Sequence, residues 1–131
     1  VFIVGNQYRF LNNLKNTISK SSLKIKLLQQ TDNMAKLMMK SDLAIGASGA
    51  TSWERCCLGL PSIQFVIADN QAAIAKALKG QGAIEYIRDI TELTVTLEKA
   101  TSSLAELSIN ARKICDGLGT KRVVEKILEI I

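Results

Sequence analysis

Ser41-Asp42-Leu43-Ala44-Ile45-Gly46-Ala47-Ser48-Gly49-Ala50-Thr51-Ser52-Trp53-Glu54-Arg55-Cys56-Cys57-Leu58-Gly59-Leu60-Pro61-Ser62 reads as one strand–loop–helix–stop unit. Leu43–Ile45 is a short apolar run without helical spacing, which predicts a buried strand. Gly46 to Thr51 contains only small residues, too many in succession for a helix interior. A helix is predicted through Trp53, Cys56, Cys57 and Leu58. Gly59 and Pro61 end it, because glycine accepts the left-handed turn at a helix end and proline cannot continue the helix.

Outward from this unit the same alternation repeats. Val1–Val4, an alternating Leu23, Ile25 and Leu27, Ile63–Ile67 and Ala83–Ile87 read as strands. Phe10, Leu11, Leu14 and Ile18 recur at helical spacing. Asp32 is placed to cap a short helix carrying Met34, Leu37 and Met38. Asn70–Lys79 is helical up to Gly80. The remainder reads as three helices, about 91–100, 104–115 and 121–131. The runs VFIV, LAI and IQFVI are apolar on both faces, as strands covered from both sides are. Strands alternating with helices predict an α/β, Rossmann-like parallel sheet with helices on both faces. No internal repeat or linker divides the 131 residues, so residues 1–131 are expected to form one domain. The chain has no initiating Met and starts inside a strand-like run, and is expected to be cut from a longer one.

Composition narrows the function. No apolar run approaches the roughly 18 residues of a membrane span. The net charge is +5, but the lysines are scattered and aromatic residues make up 5%. Stacking platforms for nucleic acid are therefore not expected. A mild positive field suits an anionic metabolite better. Cys56, Cys57 and Cys115 lack C-x-x-C spacing and the chain has no histidine. No metal site is expected, and the thiols read as reduced and buried in a cytoplasmic protein.

Ligands of open parallel sheets bind beyond the carboxyl ends of the strands. Three polar or glycine-rich loops are predicted there: Gly5-Asn6-Gln7, Gly46–Thr51 and Ala68-Asp69-Asn70-Gln71. The second opens a helix, where backbone N–H groups favour an anion; it could equally be a tight turn without ligand. It is neither a P-loop nor a G-x-G-x-x-G fingerprint. Thr51-x-x-Glu54 fits a capping box, and Glu54 also suits hydrogen bonds from ribose hydroxyls. Asn70 and Gln71 carry amides that suit a sugar, while Asp69 or Asn70 could simply cap the next helix. Trp53 lies among apolar partners and reads as core rather than as a stacking surface. Met34, Met38 and Met39 read the same way.

Ser41 to Ser62, with Ala68–Gln71 and Asp116-Gly117-Leu118-Gly119-Thr120-Lys121-Arg122-Val123, resembles the UDP-2,4-diacetamido-2,4,6-trideoxy-β-L-altropyranose hydrolases of pseudaminic acid biosynthesis, relatives of spore-coat polysaccharide proteins. More distantly, Thr31–Met34, Ser48–Glu54, Gly59–Pro61 and Asp69–Gln71 resemble the N-acetylglucosaminyltransferase of peptidoglycan lipid synthesis. The likeness covers nearly the whole chain.

The resemblance implies a GT-B architecture, two Rossmann-like domains around a cleft, with this chain as the carboxyl-terminal, UDP-binding half. It implies that Ser48, Gly49, Ala50 and Thr51 hold the diphosphate and that Glu54 binds ribose. Asn33 and Met34 would lie near uracil, Asn70 and Gln71 would face the sugar, and Gly5 and Asn6 would line the cleft. A UDP-sugar would be the ligand and an amino-terminal domain the partner, with no cofactor and no metal. The family's catalytic histidine belongs to that other domain, so no catalytic residue is expected here and this chain alone should be inactive. A GT-B glycosyltransferase, with an acceptor hydroxyl in place of water, would share the same UDP site. A flavodoxin-like binding module without enzymatic activity is the remaining alternative.

Overall fold

The computed structural model describes residues 1–130. Its internal contacts divide the chain into two compact units, Val1–Met34 and a second from Ala35 onward. The α/β class is as predicted, but the expected single sheet is found as two parallel ladders, one in each unit.

The first unit is β1 (Phe2–Val4), α1 (Leu11–Ser19) and β2 (Leu27–Gln29), with β1 and β2 parallel. The second strand is shorter than its alternation suggests: Leu23 lies outside it and is 72% exposed. Leu11, Leu14 and Ile18 on α1 are half-buried, the helix face that their spacing predicts, whereas Phe10 precedes the helix and is exposed.

α2 (Met34–Met39) starts on the last residue of the first unit, and the second continues with β3 (Ala44–Ala47), α3 (Thr51–Leu58), β4 (Ser62–Phe65), α4 (Asp69–Gly80) and β5 (Glu85–Ile87). A 3₁₀ turn, Ile90–Glu92, leads into α5 (Leu93–Ser102), α6 (Leu104–Ile114) and α7 (Gly119–Leu128). The order is β3-β4-β5, all parallel, with Ile45 beside Ile63 and Gln64 beside Tyr86. Central β4 presents alternate residues to two cores. Ile63 packs with Ile87, Ala100 and Leu107. Tyr86, the register neighbour of Gln64, packs against Cys56, Ala75, Leu78, Ala83, Ile84 and Ala111. Complete burial of a side chain such as Ile63 contributes about 1.5–3 kcal/mol.

Glu85 on β5 is buried but paired with Lys79 of α4 and, at 3.3 Å, with Lys99 of α5. This carboxylate ties two helices to the sheet instead of standing uncompensated. α7 buries no residue; Val123, Val124, Ile127 and Leu128 along it are all exposed. The predicted last helix also included Ile131, which lies outside the described residues.

The local signals act as expected at the end of α3. Gly59 has φ +65° and ψ 30°; its N–H reaches Cys56 O, and Leu60 N–H reaches Arg55 O, both at 2.9 Å. This left-handed closure suits glycine, and a Cβ there would also strike the Arg112 side chain. The caps at helix starts differ from expectation. At the start of α2, Asn33 N–H donates to the Thr31 hydroxyl at 3.1 Å, so Thr31, and not the predicted Asp32, is the side chain found bonded there. Met38 is buried as predicted, but Met39 is 72% exposed. At α4 the cap is Ala68, extended at φ −147° and without a side-chain bond, so neither Asp69 nor Asn70 caps.

Candidate functional site

The β3–α3 loop is held from below by a chain of buried hydrogen bonds. Gly49 N–H donates to Ser52 Oγ at 3.2 Å, and Ser52 Oγ–H donates to Gln64 Oε1 at 2.8 Å. Gln64 Nε2 then donates to Ser62 Oγ at 3.1 Å. Ser52, Ser62 and Gln64 are completely buried. The peptide joining Ala47 and Ser48 is gripped on both sides: Arg55 Nη1 donates to Ala47 O at 3.3 Å, and Ser48 N–H donates to Phe65 O at 2.8 Å.

The predicted capping box is not formed. Ala50 already has helical angles, φ −55° and ψ −36°, and no side chain caps α3. Ser52 N–H closes on Gly49 O, so the turn begins before Thr51. Thr51 is thus inside the turn, whereas a capping residue needs extended backbone. The box forms instead at Asp89 and Glu92: Asp89 Oδ1 accepts from Thr91 N–H, and Glu92 Oε1 accepts from Asp89 N–H, both at 2.8 Å. The Thr91 hydroxyl and amide together lower the Asp89 pKa.

Among the described residues, the N–H groups of Ala50 and Thr51 have no hydrogen-bond partner, although both residues are exposed. Ser48 Oγ is buried and likewise unpartnered. Gly49, predicted to hold an anion, already donates its own N–H to Ser52. The donors without a partner at the start of α3 are therefore Ala50 N–H and Thr51 N–H, with the buried Ser48 hydroxyl just before them, and N–H groups at a helix N-terminus suit phosphate-type oxygens.

Glu54 follows on the exposed side of α3 and makes no hydrogen bond or ion pair among the described residues. It lines an open, largely apolar groove of about 330 Å³ with Ala35, Met38, Trp53, Cys57, Leu58 and Cys115. Trp53 was predicted to be core and is 43% exposed. Helical spacing explains the difference: Ser52, Arg55 and Cys56 form the buried face, which leaves Trp53, Glu54 and Cys57 on the other. The cysteines divide likewise. Cys56 is buried, and burial pushes its thiol up to about 11; Cys57 and Cys115 are only partly covered.

The β4–α4 loop lies beside the first at the same edge of the parallel ladder. Gln71 Oε1 accepts from Ile67 N–H at 3.2 Å, fixing the loop's entry, while Asn70 is exposed. The remaining predicted residues stand in the first unit. Asn6 Nδ2 donates to Gln30 Oε1, and Asn6 O accepts from Gln29 Nε2 at 3.1 Å. Gly5 and Asn33 are exposed, and Met34 is half-buried. Another groove, of about 380 Å³ and lined by Leu11, Lys15, Ile18, Ser19, Leu27 and Gln29, contains none of the predicted residues. Sequence reading missed Gln64 and Arg55: their helix and strand periodicity looks the same whether the side chain is a core filler or a support for the loop.

Fold and loop together define a parallel α/β domain whose strand-to-helix turn presents anion donors next to an unengaged carboxylate. Residues 1–123 match the glycosyltransferase family 28 C-terminal domain, and the chain belongs to that family. It is 30% identical over 131 residues to the spore coat polysaccharide biosynthesis protein SpsG of Bacillus subtilis, covering 94% of this chain and 38% of that protein. It is 29% identical over 135 residues to the UDP-N-acetylglucosamine--N-acetylmuramyl-(pentapeptide) pyrophosphoryl-undecaprenol N-acetylglucosamine transferase of Nitrosospira multiformis, covering 94% of this chain and 37% of that protein. The transferase of the same name from Lactococcus lactis is 38% identical over 80 residues, 57% of this chain and 22% of that protein. The chain thus spans less than two-fifths of the curated relatives it matches. No helix among the described residues is long and apolar enough to cross a membrane.

Proposed function

We propose that this chain is the nucleotide-sugar-binding, carboxyl-terminal domain of a GT-B glycosyltransferase whose donor is a UDP-sugar. The observation that carries the reading is the α3 start, where the N–H groups of two exposed residues, Ala50 and Thr51, and the buried Ser48 hydroxyl lack partners among the described residues. Ser48, Ala50 and Thr51 hold the diphosphate, with Gly49 shaping the loop. Glu54 accepts from ribose, and Asn33 and Met34 lie near uracil. Asn70 and Gln71 address the sugar, and Gly5 and Asn6 line the cleft toward an amino-terminal domain. Residues 1–131 serve as one functional domain in this reading, and the cytoplasmic setting belongs to the same proposal.

The family description and the names of the matched transferases support transfer to an acceptor better than hydrolysis. Water as acceptor, and a 2,4-diacetamido-trideoxy-hexose of pseudaminic acid biosynthesis as sugar, rest on the sequence resemblance alone. In either reaction, donors at a helix N-terminus stabilise charge developing on the leaving diphosphate.

The test joins this domain to the amino-terminal domain of its parent and measures UDP release from UDP-N-acetylhexosamine with and without an acceptor alcohol. Release that depends on the acceptor supports transfer. Equal release in water alone overturns transfer in favour of hydrolysis. This chain by itself is expected to release no UDP above a protein-free blank.

A further inference from the structure

Arg55 is 9% exposed, and among the described residues it forms no ion pair with a carboxylate. Burial lowers its pKa, with the adjacent Glu54 acting in the opposite direction. A buried, unpaired cation is costly, and most buried charges are paired or neutralised. The backbone is shaped to keep this one. A Cβ at Gly46 would lie 2.9 Å from Arg55 Nη2, so the glycine makes room for the guanidinium. Nη1 meanwhile holds Ala47 O, fixing the peptide that leads into Ser48.

We propose that Arg55 is a positioning residue that holds the 46–49 loop from beneath and whose buried positive charge, without an ion-pair partner, makes the site prefer a diphosphate to an uncharged nucleoside. This rests on the reading of the Ser48–Thr51 loop as the diphosphate site. The guanidinium acts through the loop and touches no ligand. Its charge is buried, so salt screens it less than it screens the surface lysines. An arriving anion adds to the partial countercharge of the adjacent Glu54, which forms no ion pair with Arg55.

The test titrates UDP and uridine into the wild-type chain, Arg55→Gln and Arg55→Lys. Glutamine keeps an amide donor on a shorter side chain but carries no charge; lysine keeps the charge in a different shape. Arg55→Gln should weaken UDP about tenfold and leave uridine unchanged, while Arg55→Lys stays within about threefold for UDP. UDP binding by Arg55→Gln equal to wild type overturns the proposal. So does an equal loss of UDP and uridine in both variants, the pattern of a merely structural role. Should the variants fail to fold, the Arg55 Nε–H resonance of the wild-type chain decides. It should move with UDP and not with uridine, and an unmoved signal at saturation overturns the proposal. A wild-type chain that binds no UDP defeats the site reading itself, whereas normal UDP binding with an indifferent Arg55 defeats only this inference.

Discussion

Glu54→Gln is expected to weaken UDP binding by roughly 10- to 150-fold while leaving the melting temperature in place. A carboxylate accepting from ribose hydroxyls makes charge-assisted hydrogen bonds, which contribute about 1.5–3 kcal/mol, and about 1.4 kcal/mol is tenfold in affinity. Glutamine keeps the shape and loses the charge. The stability half of the expectation comes from the structure. Glu54 is exposed, closes no capping box and pairs with no cation among the described residues. A surface substitution without such partners stays within about 0.5 kcal/mol. Parallel UDP titrations and thermal melts of the two proteins check both halves. Unchanged UDP affinity would mean that Glu54 is not the ribose acceptor.

Gln64→Leu is expected to be the most damaging single change to both stability and binding. Leucine is similar in volume, so the cavity left is small. What is lost is the acceptor for Ser52 Oγ–H and the donor to Ser62 Oγ, at a completely buried position of the central strand. Two buried hydrogen bonds lost, with hydroxyls left unsatisfied, cost about 2–4 kcal/mol. That is a large share of the 5–15 kcal/mol typical of a domain and lowers the melting temperature by roughly 10 °C. The effect should reach the ligand as well, because Ser52 sets Gly49 and Gly49 sets the exposed amides that follow it. Ile63→Val, next in sequence and equally buried, serves as the control. It should cost about 0.5–1.5 kcal/mol and leave UDP affinity unchanged. A Gln64→Leu protein that melts within two or three degrees of wild type and binds UDP normally would show that this chain of bonds does not hold the loop.

The fold was legible where a local signal and the tertiary packing agree. Gly59 followed by Pro61 marks the end of α3 because left-handed closure is a property of the chain itself. Of the runs expected to be covered on both faces, only that of β4 is; Ile45 of β3 is 48% exposed, and Phe2 and Ile3 of β1 are exposed as well. Legibility ended where local patterns compete. Thr51-x-x-Glu54 satisfies the capping-box spacing, but an earlier turn at Gly49 and Ala50 takes the helix start, and Ser52 uses its hydroxyl on Gly49. Trp53 follows apolar spacing along α3, yet only the side bearing Ser52, Arg55 and Cys56 faces the sheet. Polar residues on that inward face are opaque to hydrophobic patterning, which explains why the supports of the loop were invisible while its glycines were not. Even Gly49 was legible for a different reason than its sequence suggests: its N–H serves the loop, and the amides without a partner among the described residues are those of Ala50 and Thr51.

The measurement that bears most directly on the central claim is a UDP titration of isotope-labelled chain, followed amide by amide. The amides of Ala50 and Thr51 have no partner and stand at the positive end of α3, so they should shift most, with Ser48 to Glu54 moving as a group. Binding is expected to be weak, with a dissociation constant of about 1 mM, or about −4 kcal/mol. A saturable shift largest at Ser48–Glu54 and in the groove beside Trp53, with Asn33 and Met34 also responding, is the predicted result. Millimolar UDP that leaves those signals where they were would contradict the account.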